Sequence, residues 1–481
     1  MTKRSASPAI TPTKKQRKHL VSTLNKHYGK INTQDDFKHM YVSVVPMDIF
    51  CWGTGSMCEL GLGPLAKNKE VKRPRLNPYL GREDAKIVSF AVGGMHVLAL
   101  DSKNAVWSWG TNDSGALGRD TSGANEQLKD MDADNSSDDE DGDLNDLEST
   151  PTKLQPDALP LDESKVIQLA ATDNLSCALL DSGEVYAWGT FRCNEGILGF
   201  YQDSIQVQKE PWKVPPFSNS KIVQLAPGKD HILFLDEFGV VYTWGNGQQG
   251  QLGRKILERS RLRTLDPRGF GLDNVKYIAS GENHSFALTR EGKLYAWGLN
   301  QFGQCGVTSE VEDGALVTIP TEVVLPQDVK VKMVAAGEHH SLVLSEDGRL
   351  FTFGRLDMFE IGIAKDKLPD YTYIDAHDKA RAVPLPTQLR DVPLFKGIAA
   401  GSHHSLAISE DGIVFSWGFG ETYAVGLGPS GEDVETPTRI KNTATQDHNI
   451  MFVGGGGQFS VSGGVKLSDD EAEKRADKYD D

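Results

Sequence analysis

The sequence predicts an all-β fold, a seven-bladed β-propeller with four-stranded blades whose ring is closed by half-repeats from the N- and C-terminal ends. Three observations predict it. A Trp-Gly pair, once Phe-Gly, recurs at Trp52, Trp109, Trp188, Trp244, Trp297, Phe353 and Trp417, giving seven copies. A Gly-x-x-His segment falls at His96, His231, His284, His340 and His404, with Leu175 and Phe459 in the same slot of two degenerate copies. Wherever both halves of a copy are present, slot and anchor lie 13 residues apart, so six copies share one hairpin length. Internal repeats at this period signal a repeat architecture.

Residues 401–426 show why each unit is β-structure. Residues 405–409 run apolar like a buried strand, Asp411-Gly412 is a hairpin signal, and 413–418 are rich in β-branched and aromatic residues. Two further strands per unit, such as 151–154 and 165–170, complete a propeller blade. The first Trp-Gly has no Gly-x-x-His before it, and the last such half, 456–460, has no Trp-Gly after it. The two ends are therefore expected to share one blade, which leaves no open sheet edge.

Composition fits a β-protein with many turns, since 49 of the 481 residues are glycine. No apolar run approaches the ~18 residues of a membrane helix. The basic N-terminus lacks the apolar core of a secretory leader. Five cysteines without Cys-x-x-Cys spacing point to a reducing compartment, with neither a zinc site nor a disulfide frame.

The propeller is expected over residues 48–466, and charge sets off what surrounds it. Residues 1–34 carry eight Lys or Arg and no acid, a disordered basic arm in which Lys14, Lys15, Arg17 and Lys18 cluster. Such an arm is a nuclear import signal, a nucleic-acid contact or both, unless it is only a solvated tail. The interval from Trp109 to Trp188 is 79 residues against 53 to 64 elsewhere, and the excess, residues 126–148, holds 11 acids and one Lys. That block reads as an acidic disordered insert within the propeller. Residues 467–481 read as an acidic C-terminal tail. About −11 of the net charge of −16 then stays with the propeller, so the body itself is not one that wraps DNA.

Catalytic signatures are missing. There is no phosphate-binding Gly-x-x-x-x-Gly-Lys-Ser/Thr loop, and the G-x-G-x-x-G match at residues 245–250 belongs to the repeat, with no helix after it. The histidines recur once per blade, as structural hydrogen-bonding groups would, and no metal or other cofactor is expected. No nucleophile triad or carboxylate pair stands out. The sequence describes a binding surface.

Departures from the repeat locate that surface. Trp to closing Gly is nine residues in six copies and eleven in the third, Trp188 to Gly199. Thr190, Phe191, Arg192, Cys193, Asn194, Glu195, Gly196 and Ile197 therefore form a lengthened loop expected to project beyond its siblings. A hairpin returns the chain to the face it left, which puts Asp173, Asp230, Glu338, His339 and His340 on the face of that loop. Acidic groups around a projecting loop at a propeller mouth form a protein-docking surface, or equally a set of solvated carboxylates.

The segments GGMH, GALGRDT, WGTFRCNEGILG, PGKDH and AGEHHS, in this order within the sevenfold repeat, resemble the regulator-of-chromosome-condensation family. Within it they are most similar to the fungal nuclear members that act on the small GTPase Ran. The resemblance spans about 48–466. It implies a seven-bladed propeller that promotes exchange of GDP for GTP on Ran at chromatin, without covalent chemistry, in the nucleus and away from membranes. It also implies that Thr190 to Ile197 form a wedge against the GTPase, that Asp230 is the exchange-critical acid, and that Asp173 and His340 face the GTPase. Ser56 stands where relatives often carry an acid. Nucleosome contact is implied for the basic arm and for the cationic stretch of Arg254, Lys255, Arg259, Arg261, Arg263 and Arg268, and an import receptor for the arm. The alternative is a non-catalytic scaffold of the same repeat family, such as a ubiquitin ligase adaptor.

Overall fold

The structure is a computed structural model and describes residues 29–123, 143–202, 204–216, 219–256 and 264–479. Among the described residues seven antiparallel sheets of four or five strands surround a central channel, and in five of them the strands follow one another outward in chain order. The closing blade is composite, as expected from the half-repeats: Asp48–Thr54 pairs with Phe459–Lys466, from Asp48 opposite Gly464 to Gly53 opposite Phe459. Glu70–Leu76 and His448–Gly455 complete it. One blade carries a fifth strand, Tyr373–Ile374, on the outer edge of Ala380–Gln388.

The repeat residues make one device that joins neighbouring blades. The slot histidine places Nε2 against a serine of the next blade, at 2.7 Å for His96 and Ser176, 2.7 Å for His284 and Ser341, and 2.8 Å for His404 and Ser460. Each of these serines donates its own proton to a loop carbonyl, and where the anchor is Trp the indole donates to the same oxygen: Ser176 and Trp188 share that of Ala116, both at 2.7 Å, whereas the Gln304 carbonyl under Ser341 has Phe353 beside it and no indole. The serine proton being committed, the histidine must be the Nε2–H tautomer. Burial pushes His96 down to about 4 and His231, His284 and His404 to about 3, so these rings are neutral.

The closing glycine follows from the same device. Gly118 has φ +68°, and a Cβ there would lie 2.8 Å from Nε1 of Trp188. Only glycine takes that backbone conformation without strain while letting the indole lie against it.

Helix α1, Asp35–Tyr41, crosses the face that carries the Asp-Gly turns. Its lead-in is docked: the Ile31 and Asn32 amides donate to the Glu237 carbonyl at 2.9 and 3.1 Å, and Asn32 Nδ2 donates to the Val275 carbonyl at 2.9 Å. The arm's expected boundary at 34 is thus too late, because Ile31 is buried over Gly239. Met40 and Tyr41 line the end of the channel, a cavity of about 700 Å³ walled by inner strands.

Two other segments differ from expectation. The end of the acidic stretch is ordered: Leu144 is buried, its amide donates to the Pro64 carbonyl at 2.7 Å, and Asn145 caps helix α2, Asp146–Ser149. Residues 126–142 lie outside the described residues. The C-terminal stretch forms helix α3, Asp469–Tyr479, tied down by Arg475, whose guanidinium donates to the His448 carbonyl at 2.7 Å and to the Gln446 carbonyl.

Candidate functional site

The lengthened third loop is a β-hairpin. Phe191–Cys193 pairs with Gly196–Gly199, Arg192 opposite Ile197 and Cys193 opposite Gly196, with Asn194 and Glu195 at the tip. Two extra residues suffice because a two-residue turn needs no more. Its base is aromatic: Phe191 is fully buried, edge-on to Trp244 at 4.9 Å, and packs over Gly245, where a Cβ would come within 2.8 Å of its ring. Arg192, Asn194, Glu195 and Ile197 are exposed.

Building the hairpin removes a hydrogen bond. Other anchor tryptophans donate to the carbonyl two residues before the preceding copy's closing glycine, as Trp188 does to Ala116 and Trp297 to Gln251. For Trp244 that position is Ile197, which the hairpin carries outward. Among the described residues the buried Trp244 indole N–H has no acceptor. Phe191, Phe200 at 5.3 Å and Phe234 at 6.2 Å enclose it instead. A buried unpaired N–H costs about 1–3 kcal/mol, so the projecting element exists at some expense of stability.

The Gly-x-x-His loops beside the hairpin form the rim of the channel mouth. Successive backbone bonds link them, Asp173 N to Lys229 O, Lys229 N to Glu282 O and Glu282 N to Gly337 O. Asp173, Lys229, Glu282 and Glu338 therefore stand side by side, with Lys229 Nζ 3.0 Å from Glu282 and 3.8 Å from Asp173. Burial and the Glu282 charge raise the Asp173 carboxyl well above the usual carboxylate range. Burial alone would lower the Lys229 ammonium, but Glu282 and Asp173 outweigh it and hold the lysine protonated.

Asp230 touches the hairpin itself. Its Oδ1 accepts from the Arg192 amide at 2.8 Å, and burial pushes its carboxyl up to about 6 although that bond opposes the shift. Glu338 sits between two imidazoles, His339 Nδ1 and His403 Nε2, each at 3.4 Å. Burial opposes its ionisation, but the two neighbouring imidazoles bring the carboxyl down to about 2. Among the described residues the mouth thus sets Asp230, Glu282 and Glu338 beside Lys229, a surface matched to a partner's cations.

Three sequence expectations need correction. His340 is fully buried and bonded through Nε2 to Ser405 at 2.9 Å, so it staples two blades; the imidazoles at the mouth are His339 and His403. Thr190 is buried, its hydroxyl donating to the Gln206 carbonyl at 2.7 Å, and Phe191 is the hairpin's buried base. Both support the projection from below and offer no surface to a partner. Asp173, Asp230 and the exposed tip residues do share one face.

Lys14, Lys15, Arg17, Lys18, Arg259, Arg261 and Arg263 lie outside the described residues. Of the cationic stretch that is described, Arg268 pairs with Asp266 at 3.1 Å and Arg254 is partly buried, leaving Lys255 exposed. Sequence reasoning passed over Glu282 and Lys229 as members of the rim, although they fill the same repeat slot as Asp173 and Glu338. It also passed over Asn246 and Gln248, which reach the hairpin from the following blade.

The guanine nucleotide exchange factor SRM1 of Saccharomyces cerevisiae is 74% identical over 96% of this chain and 97% of that relative. A crystal structure of Prp20p from the same yeast, described with its binding properties to Gsp1p and histones, superposes with a TM-score of 0.89 at 70% identity, covering 94% of this chain and 98% of that one. A second, of yeast RCC1 (Prp20) bound by Kap60, gives a TM-score of 0.90 at 67% identity over the whole of both chains. The model of the RCC1-like domain matches residues 48–462, the full ring of blades, and this chain belongs to that family.

Proposed function

We propose that the hairpin of residues 191–199 is the wedge by which this chain drives nucleotide off a small GTPase. The chain is a guanine nucleotide exchange factor of the RCC1 family for the GTPase Ran, the counterpart of the Gsp1p bound by its yeast relative. The observation that carries the wedge is geometric: a hairpin with an exposed tip and a fully buried aromatic base projects from a rigid ring beside a carboxylate-rich rim.

GTPases hold nucleotide through backbone N–H groups, a lysine and Mg²⁺ around the phosphates. Arg192, Asn194, Glu195 and Ile197 press into that cradle, with Cys193 and Gly196 forming the turn behind them. Asp230 acts twice, holding the wedge by the Arg192 amide and presenting charge to a GTPase cation. Asp173, held largely protonated by burial and the Glu282 charge, faces the GTPase as a hydrogen-bonding group. No bond is made or broken in the nucleotide. Linkage requires that nucleotide weaken the exchanger's grip by the factor with which the exchanger weakens nucleotide's. An acceleration of ~10⁵ needs about 7 kcal/mol of barrier lowering, more than one ion pair supplies, so wedge and rim act together.

The yeast relatives' partners extend the proposal. The basic arm, through Lys14, Lys15, Arg17 and Lys18, is read by an import receptor of the Kap60 kind and brings the chain to the nucleus. The arm together with Arg259, Arg261 and Arg263 holds it on nucleosomes, guanidinium forks meeting carboxylates or phosphates. Changing those three arginines to glutamate should weaken nucleosome binding without altering exchange in solution.

The exchange proposal is tested by following fluorescent GDP leaving purified Ran with this protein in substoichiometric amount. Release of most of the label, far faster than the spontaneous rate, establishes turnover. A stable complex without acceleration would leave a scaffold and remove the wedge's role.

A further inference from the structure

We propose that Gln248, seated by Asn246, is a positioning residue that holds the wedge tip in its exchange-competent shape. This rests on the wedge reading above and adds to it the clamp from the following blade.

The hairpin is too short to fix its own tip. It has three paired positions, with an irregularity between Phe191 and Arg192 and the Cys193 thiol donating to Glu195 at 3.0 Å, and the following blade adds further contacts. Gln248 lies in the loop after Trp244-Gly245. Its Oε1 accepts from the Asn194 amide at 3.2 Å, and its Nε2 faces both carboxylate oxygens of Glu195 at 3.2 and 3.3 Å. Only this orientation of the amide satisfies an N–H on one side and a carboxylate on the other. Behind it, buried Asn246 donates through Nδ2 to the Arg192 carbonyl at 3.1 Å and accepts through Oδ1 from the Gln248 amide at 2.9 Å.

With Asp230 on the Arg192 amide, the first hairpin strand is gripped at N–H, at C=O and at the tip by one neighbouring blade. An isolated two-stranded hairpin is marginal in water. Wedge residues that only sample the displacing geometry lower the effective rate in proportion to the time spent out of it. The clamp therefore acts on the chemistry-free transition state of displacement more than on the initial encounter. Truncating it should lower kcat and leave KM for the GTPase nearly unchanged.

The test uses the full chain with Gln248→Ala, Gln248→Glu, Glu195→Gln and the double variant Glu195→Gln/Gln248→Glu. Hydrogen exchange of the hairpin amides is read beside fluorescent GDP release. Gln248→Ala should speed exchange of the Asn194 amide and lower kcat about tenfold, with KM within about twofold and the thermal midpoint unchanged. Gln248→Glu puts like charges together and should be at least as impaired. In the double variant the new amide at 195 can donate to the new carboxylate at 248, so kcat should exceed the product of the single effects.

Unchanged amide exchange and unchanged kcat in Gln248→Ala would overturn the clamp. Strictly multiplicative effects in the double variant would overturn the pairing. Faster amide exchange in the variant of a parent that does not accelerate GDP release would locate the failure in the wedge reading, with the physical contact intact.

Discussion

Replacing Asp230 by Asn should make the protein more stable and a poorer exchanger. Burial lifts the carboxyl from an ordinary 3.8 to about 6 in the folded state. The fold therefore holds this proton more tightly than the unfolded chain does, so ionisation works against folding as pH rises. The penalty is absent below about pH 4, grows to about pH 6 and is constant above it. Two units correspond to a ceiling of about 3 kcal/mol. Partial solvent exposure screens the charge, and Asn can still accept from the Arg192 amide, which brings the expected gain to about 1–2 kcal/mol. Urea unfolding near pH 7.5 should show that gain, and near pH 5 roughly half of it. GDP release near pH 7.5 should fall by at least about tenfold in kcat, because the charge offered to the GTPase is gone. An equal gain at both pH values, or none, would refute the burial reasoning, and unimpaired exchange would refute the functional role.

Other predictions follow from single contacts. Ile197→Asp, at an apolar tip position that is 53% exposed, should weaken exchange on the GTPase about tenfold or more in kcat/KM while leaving the unfolding midpoint in place. His284→Ala removes a fully buried staple to Ser341 and should cost about 2–4 kcal/mol in a denaturant titration near pH 8, and less toward pH 5, because the buried ring, held down to about 3, stays neutral while the imidazole of the unfolded chain takes up a proton below about 6.5. Gly118→Ala, at positive φ and against Trp188, should cost more than about 1 kcal/mol, and replacing Ile31 and Asn32 by Gly should lower the melting temperature by loosening the lead-in to helix α1.

The ring was legible from the residues alone. Trp-Gly, Gly-x-x-His and the closing glycine recur because one triple contact, imidazole to serine to carbonyl with an indole on the same oxygen, is made afresh between neighbouring blades, and local rules repeated at fixed spacing are readable without coordinates. The projecting hairpin was legible too, since a two-residue excess is visible against identical siblings. What tertiary structure decided was which side chains face outward. His339 and His340 are adjacent in sequence, but strand alternation buries one beneath the next blade and leaves the other beside Glu338. Thr190 and Phe191 look like loop residues until the Gln206 carbonyl takes the one and the Trp244 pocket the other. The contacts of Gln248 and Asn246 with the hairpin cross 53 and 54 positions of chain, and Ile31 finds its niche at Gly239 on a distant blade. Such pairings depend on how rigid blades are set around the ring, a geometry fixed by packing between repeats and carried by no single repeat.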